Sequence, residues 1–395
     1  MISGMQRQDG RATTPAGRPL PFTGKPMVTE PVVVKSSGVE LHQYPEIFRP
    51  GEALGSDELR VTCTGSGNPM LRRGQAAASW LVEVGNGDKF VFDVGGGSVQ
   101  NLFSLEIHPS LLDKLFVTHG HLDHIGDLLP LFDAMGWARN TPLQVWGASG
   151  KTDELGTTAM CRAFEAAAAW HIESKKGLVP SSGAMITDHE IDYEAFSADN
   201  PETLVYDTNG VKVYAFPVMH CIYGALGYRL EWNGLAVSFH GDGEPNEFEA
   251  RRVQAVDLIV HEGFLDAPTF AEKNGFSVDM AKRVLTAHTT PDMLGRLFDI
   301  SKPGLGVGYH YFVNDDTVDP FFDGITSTYD GPVALAQDLM VINVTPDQIV
   351  TRMGETDLLH WTPPAPEADG PPPELEPLSP AVIPDYVATT RLPER

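Results

Sequence analysis

The sequence predicts an α/β fold, and three patterns carry that expectation. Short β-branched and apolar runs end abruptly in polar clusters, as where Leu115-Phe116-Val117-Thr118 meets His119-Gly120-His121-Leu122-Asp123-His124. Asn86-Gly87 and Asn233-Gly234 lie between β-rich runs and read as tight hairpin turns. Other segments show helical spacing, with Leu128, Leu129, Leu131, Phe132 and Met135 on one stripe. With 395 residues the chain can bury a large core, either as one α/β domain with extensions or as two domains.

Taken in order, Met1 to about Pro50 has little periodicity and reads as an extension, with Val32 to Val34 a candidate edge strand. The fold proper begins with a strand from Glu58 to Thr64, closed by Gly65-Ser66-Gly67-Asn68-Pro69. Strands follow at Ala78–Val84 and Lys89–Val94, and then a loop at Gly95-Gly96-Gly97-Ser98. That loop lacks the G-x-G-x-x-G spacing of a dinucleotide site. Beyond the histidine cluster come a helix from Gly126 to Trp137 and a strand at Thr141–Gly147. An alanine-rich, mostly core-facing helix is expected from Thr157 to Trp170, with His171 a cap or surface residue directly after it. Ser174 to Asn209 is loose and acidic.

Order returns in an alternating strand from Val211 that ends at His220. The hairpin around Asn233-Gly234 runs to Gly241-Asp242-Gly243, with His240 a structural residue. A buried strand, Val256 to Phe264, carries His261 and Glu262 at its polar end. A short helix at Met280–Leu285, the run Ala287-His288-Thr289-Thr290 and a helix from Pro291 to Phe298 follow, with Thr290 as N-cap. A glycine-rich strand, Gly304 to Phe312, places His310 at its end, and Val333–Val350 reads as a helix-like and then a strand-like segment. From Trp361 the tail is rich in proline and glutamate, including Pro371-Pro372-Pro373, which favours extended polyproline conformations. The expected division is an extension at 1–57, a catalytic domain at 58–360 and a tail at 361–395.

Composition narrows the partners. Hydrophobic residues at 42% and charged residues at 21% are ordinary for a globular chain. The 28 Lys+Arg against 53 Asp+Glu give a formal charge of −25, which repels phosphate backbones, so no nucleic-acid partner is expected. No apolar run reaches the roughly 18–20 residues of a membrane span. Cys63, Cys161 and Cys221 have no C-x-x-C spacing and an odd count, which argues against a disulfide framework. With a polar N-terminus that lacks a basic-then-apolar signal, this points to a cytoplasmic protein, although a leader removed upstream would leave no trace here.

The histidine cluster carries the chemistry. Three imidazoles and a carboxylate in a core strand would each need a partner, since burying one unpaired costs roughly 2–7 kcal/mol. Together they suit a borderline divalent cation such as zinc. In an extended strand end residues two apart point the same way, so His119, His121 and Asp123 are expected to converge and His124 to serve a neighbouring metal.

This H-x-H-x-D-H run is the signature of the metallo-β-lactamase superfamily. From about Leu59 to Gly354 the chain resembles its RNase Z-like and arylsulfatase-like branch, and is similar to the family members found in guanitoxin-type biosynthetic clusters. The G-S-G-x-P run, the Phe92-Asp93-Val94-Gly95 element and His261-Glu262 carry the likeness, although Phe264 follows Gly263 where the family has threonine. The resemblance implies a four-layer αββα sandwich with N- and C-terminal extensions. It implies two Zn2+, with Mn2+ or Fe2+ as alternatives: one held by His119, His121 and His220, the other by Asp123, His124 and His310, with Asp242 bridging. Asp93 would orient ligands.

By the same resemblance, hydroxide generated between cations about 3.5–4 Å apart attacks a phosphoester or sulfoester of a small molecule. His288 would act as general acid, oriented by Glu262, with Asp123 the third expected catalytic residue. A lactonase, dehalogenase or other small-molecule hydrolase is the alternative on the same metals. A diiron redox reading needs a glutamate at the place of His121 and a flavin domain, neither of which is present. The basic arm with which RNase Z grips tRNA has no counterpart here. Family analogy implies a homodimer, in which Val382–Val387 could pack on the partner.

Overall fold

The computed structural model describes residues 7–8, 11–12, 32–35, 43–136, 139–365, 375, 377, 384–390 and 392. Two β-sheets dominate it. The first has ten strands, in the order Ile186–Ile191, Leu143–Ala148, Lys114–Phe116, Lys89–Val94, Ser79–Val84, Leu59–Gly65, Met340–Val344, Gln348–Gly354 and Val33–Lys35, with Ile47–Phe48 also on Gln348–Gly354. The second has seven: Thr203–Thr208, Val211–Pro217, Leu226–Trp232, Leu235–Phe239, Leu258–Glu262, Leu305–Tyr309 and Val333–Leu335.

The sheets face each other across an aromatic core. Phe92 stacks on Phe239 of the opposite sheet at 4.2 Å, and the Trp80 ring meets Tyr309 edge-on at 5.7 Å. The central strands Leu59–Gly65, Ser79–Val84 and Leu258–Glu262 are buried along their whole length. Their polar residues, Arg60, Thr62, Thr64, Ser79 and Glu83 among them, are therefore buried as well. Helices cover both outer faces. Ser98–Ser104 and Leu128–Gly136 contribute Leu102, Leu128 and Leu131 to a cluster on the first sheet. Glu247–Arg252, Ala267–Asn274, Pro291–Ser301 and Val318–Thr326 contribute Ala250, Phe270, Leu294 and Phe321 on the second. The fold is an αββα sandwich.

Several elements differ from the expectation. The alanine-rich helix breaks at Ala168 into Thr157–Ala167 and Ala169–Lys175, so His171 lies inside a helix and meets Asp133 at 2.7 Å. Only Thr157 and Cys161 of its first half are buried, so its alanines do not face the core. The loose stretch holds two strands, Ile186–Ile191 and Thr203–Thr208, which close the edges of the two sheets. Both are largely half-exposed, which removes the apolar alternation that marks a strand. Val333–Val350 contains strands and no helix, and a short helix, Ser98–Ser104, follows the glycine cluster. Pro371–Pro373 and much of both extensions lie outside the described residues.

Candidate metal centre

The strands Lys114–Phe116, Val211–Pro217, Leu235–Phe239 and Leu305–Tyr309 each release a loop carrying ligand side chains. The first strand stops at Phe116, and His121 is the N-cap of a short helix, Leu122–Ile125. The turn therefore overrides the alternation expected of an extended end. Asp123 does not join His119 and His121 but swings to the side of His124 and His310.

Two ligand groups result. His119 Nε2 lies 3.0 Å from His121 Nδ1, which lies 3.3 Å from His220 Nε2. On the other side, His310 Nε2 is 3.1 Å from Asp123 Oδ2, and both His124 Nε2 (3.2 Å) and His310 Nε2 (3.4 Å) approach Asp242 Oδ1. Asp242 belongs to both groups, with its Oδ2 4.0 Å from His119 Nε2. Ligand atoms 2.0–2.1 Å from a tetrahedral zinc lie about 3.3 Å from one another, so these separations fit a cation. His124 Nε2 and Asp242 Oδ1 are buried with no hydrogen-bond partner, the second mark of cation sites.

The electrostatics agree. Burial holds the His119, His121 and His220 imidazoles below their ordinary pKa, keeping the neutral form that ligates metals. Burial also opposes charge on His124, but Asp242, Asp93 and Asp123 outweigh it and push that ring's pKa well up. A cation held beside it would take the place of the proton that these carboxylates otherwise attract.

Groups behind the ligands fix their orientation. Asp93 accepts from His124 Nδ1 at 2.7 Å and from the Thr118 N–H and hydroxyl, both at 2.7 Å, which leaves His124 Nε2 facing the centre. His220 Nδ1 donates to the Ala287 carbonyl at 2.9 Å, with the same effect. Asp93 (φ 57°) and His310 (φ 67°) sit in the left-handed region, and the His310 N–H donates to Ser66 O at 2.8 Å. Such backbone strain concentrates at functional sites. Gly241, before Asp242, has φ 60°, and a Cβ there would lie 2.6 Å from the Thr118 hydroxyl. Glycine is required for the bridging carboxylate to reach its place.

His288 sits 3.9 Å from Asp242, and its Nδ1 is 3.2 Å from Glu262 Oε1. The same oxygen accepts from the Thr289 N–H at 2.9 Å and the Gly243 N–H at 3.3 Å. Phe264, where the family pattern has threonine, stacks on the His288 ring at 3.9 Å. Burial works against a charged His288, yet Glu262 and Asp242 outweigh it and lift its pKa to about 9.

Behind Glu262 lies a set that sequence reasoning did not find. Glu249 Oε1 accepts from His261 Nε2 at 3.1 Å and from His240 Nδ1 at 2.5 Å, and His261 Nδ1 donates to the Glu262 carbonyl at 2.7 Å. With acceptors near both ring nitrogens, His261 is placed to hold a second proton, and Glu249 raises its pKa against the opposing effect of burial. All three side chains are buried. The only signal for Glu249 was an acidic residue in a charged helix, which reads as surface.

Comparison with known proteins agrees with this geometry. The metallo-β-lactamase superfamily model matches residues 72–175. The chain carries a metallo-β-lactamase superfamily domain. Among curated relatives, the ribonuclease Z of Mycobacterium marinum is 28% identical over 193 residues, 47% of this chain and 64% of that protein. That of Mycobacterium sp. strain KMS is 29% identical over 191 residues, 47% of this chain and 62% of that protein. The chain thus spans less than two thirds of these relatives. Among solved structures, human tRNase Z, short form, aligns with TM-score 0.55 at 19% identity, over 73% of this chain and 99% of that one. The metallo-β-lactamase fold protein YhfI from Bacillus subtilis aligns with TM-score 0.52 at 17% identity, over 73% and 100%. These curated relatives are thus ribonuclease Z proteins, and the solved structures share this fold.

Proposed function

We propose that the protein is a dinuclear metal-dependent hydrolase that cleaves phosphoester or sulfoester bonds of a small molecule. The observation that carries this reading is the His288–Glu262 pair set against the shared carboxylate Asp242. When bound, two zinc ions would activate water near neutral pH and offset charge on the attacking and leaving atoms.

The residues divide the remaining work. His119, His121 and His220 would hold one cation and Asp123, His124 and His310 the other, with Asp242 between them. Asp93 and the Ala287 carbonyl hold the ligand rings in one tautomer. Glu262 accepts a hydrogen bond from His288 Nδ1–H and keeps the ring in place. His288 Nε2 then carries the proton that passes to the leaving oxygen, and a pKa of about 9 keeps it protonated at neutral pH. Nearby cations would bring that value down, toward the range in which a general acid works best.

A small molecule is the better substrate for this chain than RNA, because the formal charge of −25 opposes approach of a polyanion. A chromogenic panel of bis-aryl phosphate, aryl sulfate and lactone, assayed with zinc and after chelation, tests the reading. Zinc-dependent cleavage of phosphate or sulfate, lost in His288→Ala, is the expected result. Turnover of the lactone alone, or a silent His288→Ala, would overturn it.

A further inference from the structure

The alanine-rich helix Thr157–Ala167 leaves its small side chains away from the core, and nothing in the metal centre uses them. They line a cavity of about 520 Å³. One side is formed by Ala159, Met160 and Ala163, and another by Val117 and Ile125 from the flanks of the histidine cluster. Ala159 and Ala163 are four residues apart on one helix face, so their small size opens the space. Ile222 and Tyr223, just past His220, add an apolar and an aromatic wall. His119 belongs both to this lining and to the first ligand group, so the cavity adjoins the metal centre.

The volume is that of a small-ligand site and far below what a folded RNA would need. The lining is mostly apolar, and its charged groups are Lys151 and Glu154, both exposed. On a chain of charge −25, Lys151 supplies a positive group at the cavity lining. His288 is not part of this lining, so the cavity is placed to take the part of the substrate that stays behind rather than the leaving group.

We propose that this cavity is the substrate subsite, and that it takes a compact aryl or branched-alkyl group of a small anionic ester, with Lys151 meeting the negative charge. The inference rests on the hydrolase reading above and adds the substrate class to it.

The test is calorimetric binding of phenylphosphonate and methylphosphonate, two non-hydrolysable probes, to the zinc-loaded protein and to the chelated protein. The expected result is at least tenfold tighter binding of the phenyl probe, and loss of that preference in Ala163→Phe, which fills the cavity. Ala159→Leu serves as a second variant if Ala163→Phe does not fold, and Lys151→Gln should weaken both probes several-fold at low salt. Equal binding of the two probes, or a preference unchanged in a folded cavity-filling variant, would overturn the subsite. A phenyl preference that survives chelation, in a protein with no metal-dependent ester turnover, would sink the hydrolase reading and leave the subsite standing.

Discussion

At Glu249 a single carboxylate oxygen accepts from two buried imidazoles, His240 and His261. Burial alone would raise this carboxyl's pKa, but the hydrogen bonds from His240 and His261 outweigh it and bring it down to about 2. Glu249→Ala therefore leaves the ring nitrogens of His240 and His261 that it serves buried without their acceptor. Urea unfolding should show a loss of about 3–5 kcal/mol, whereas a surface glutamate at this position would show almost none. The pH dependence follows from the sign of each shift. Glu249 contributes stability above its ordinary value of 4.5, and that contribution is lost as pH falls toward about 2. His261, raised above its ordinary 6.5, contributes fully below 6.5 and loses its share as pH rises through its folded value. Stability measured against pH should thus fall on the acid side in the wild type, with a shallower acid slope in Glu249→Gln. Nearer the centre, Asp93→Ala should weaken zinc binding roughly 10–100-fold by freeing His124, read by competition with a chromogenic chelator. The ligands were legible because H-x-H-x-D-H has few other uses. Glu249 was not, because its role depends on a neighbouring strand twelve residues on that no local pattern reveals.

The elements outside the metal loops show where local pattern and tertiary context part. Val33–Lys35 and Ile47–Phe48 pair with Gln348–Gly354 and widen the first sheet at its edge. The chain between them and the fold proper is fastened by Arg352, whose guanidinium bonds Glu52 at 2.7 Å and Asn343 at 3.0 Å and lies over the Tyr44 ring at 4.8 Å. Glu52→Ala removes the main counter-charge of a buried arginine, so the thermal midpoint should drop by several degrees. An unchanged midpoint would mean that Asn343 and water suffice. The Asn233-Gly234 hairpin was legible because a two-residue turn needs both residues at positive φ, and they sit at 50° and 82°. The break at Ala168 was not, because alanine favours continuing a helix and no residue there signals a stop. Likewise Val333–Val350 was misread as partly helical: Val333–Leu335 has three residues, too short for periodicity to decide.

Across the whole molecule, two sheets and two helical layers bring loops from both halves of the sequence to one centre, from His119 to His310. That long-range convergence makes the site sensitive to global stability and sets its surroundings in a negative field. A charge of −25 should slow capture of anionic substrates. For an anionic ester, kcat/KM should therefore rise between low and physiological salt, while for a neutral ester it should stay flat. A steep fall with salt for the anionic ester would instead reveal a local positive field stronger than the overall charge. Among the described residues no helix is long and apolar enough to cross a membrane. The four-layer order was legible only through the resemblance that the histidine run carries. Strand types alone leave open which sheet each strand joins.

The most direct test of the central claim is a zinc titration of the chelated protein, with turnover of a bis-aryl phosphate followed at each addition. The account predicts that activity is absent in the chelated protein and returns with zinc until two equivalents per chain are bound, and that Asp242→Ala fails to recover it. Full turnover without metal, or recovery in Asp242→Ala equal to that of the wild type, would contradict the account.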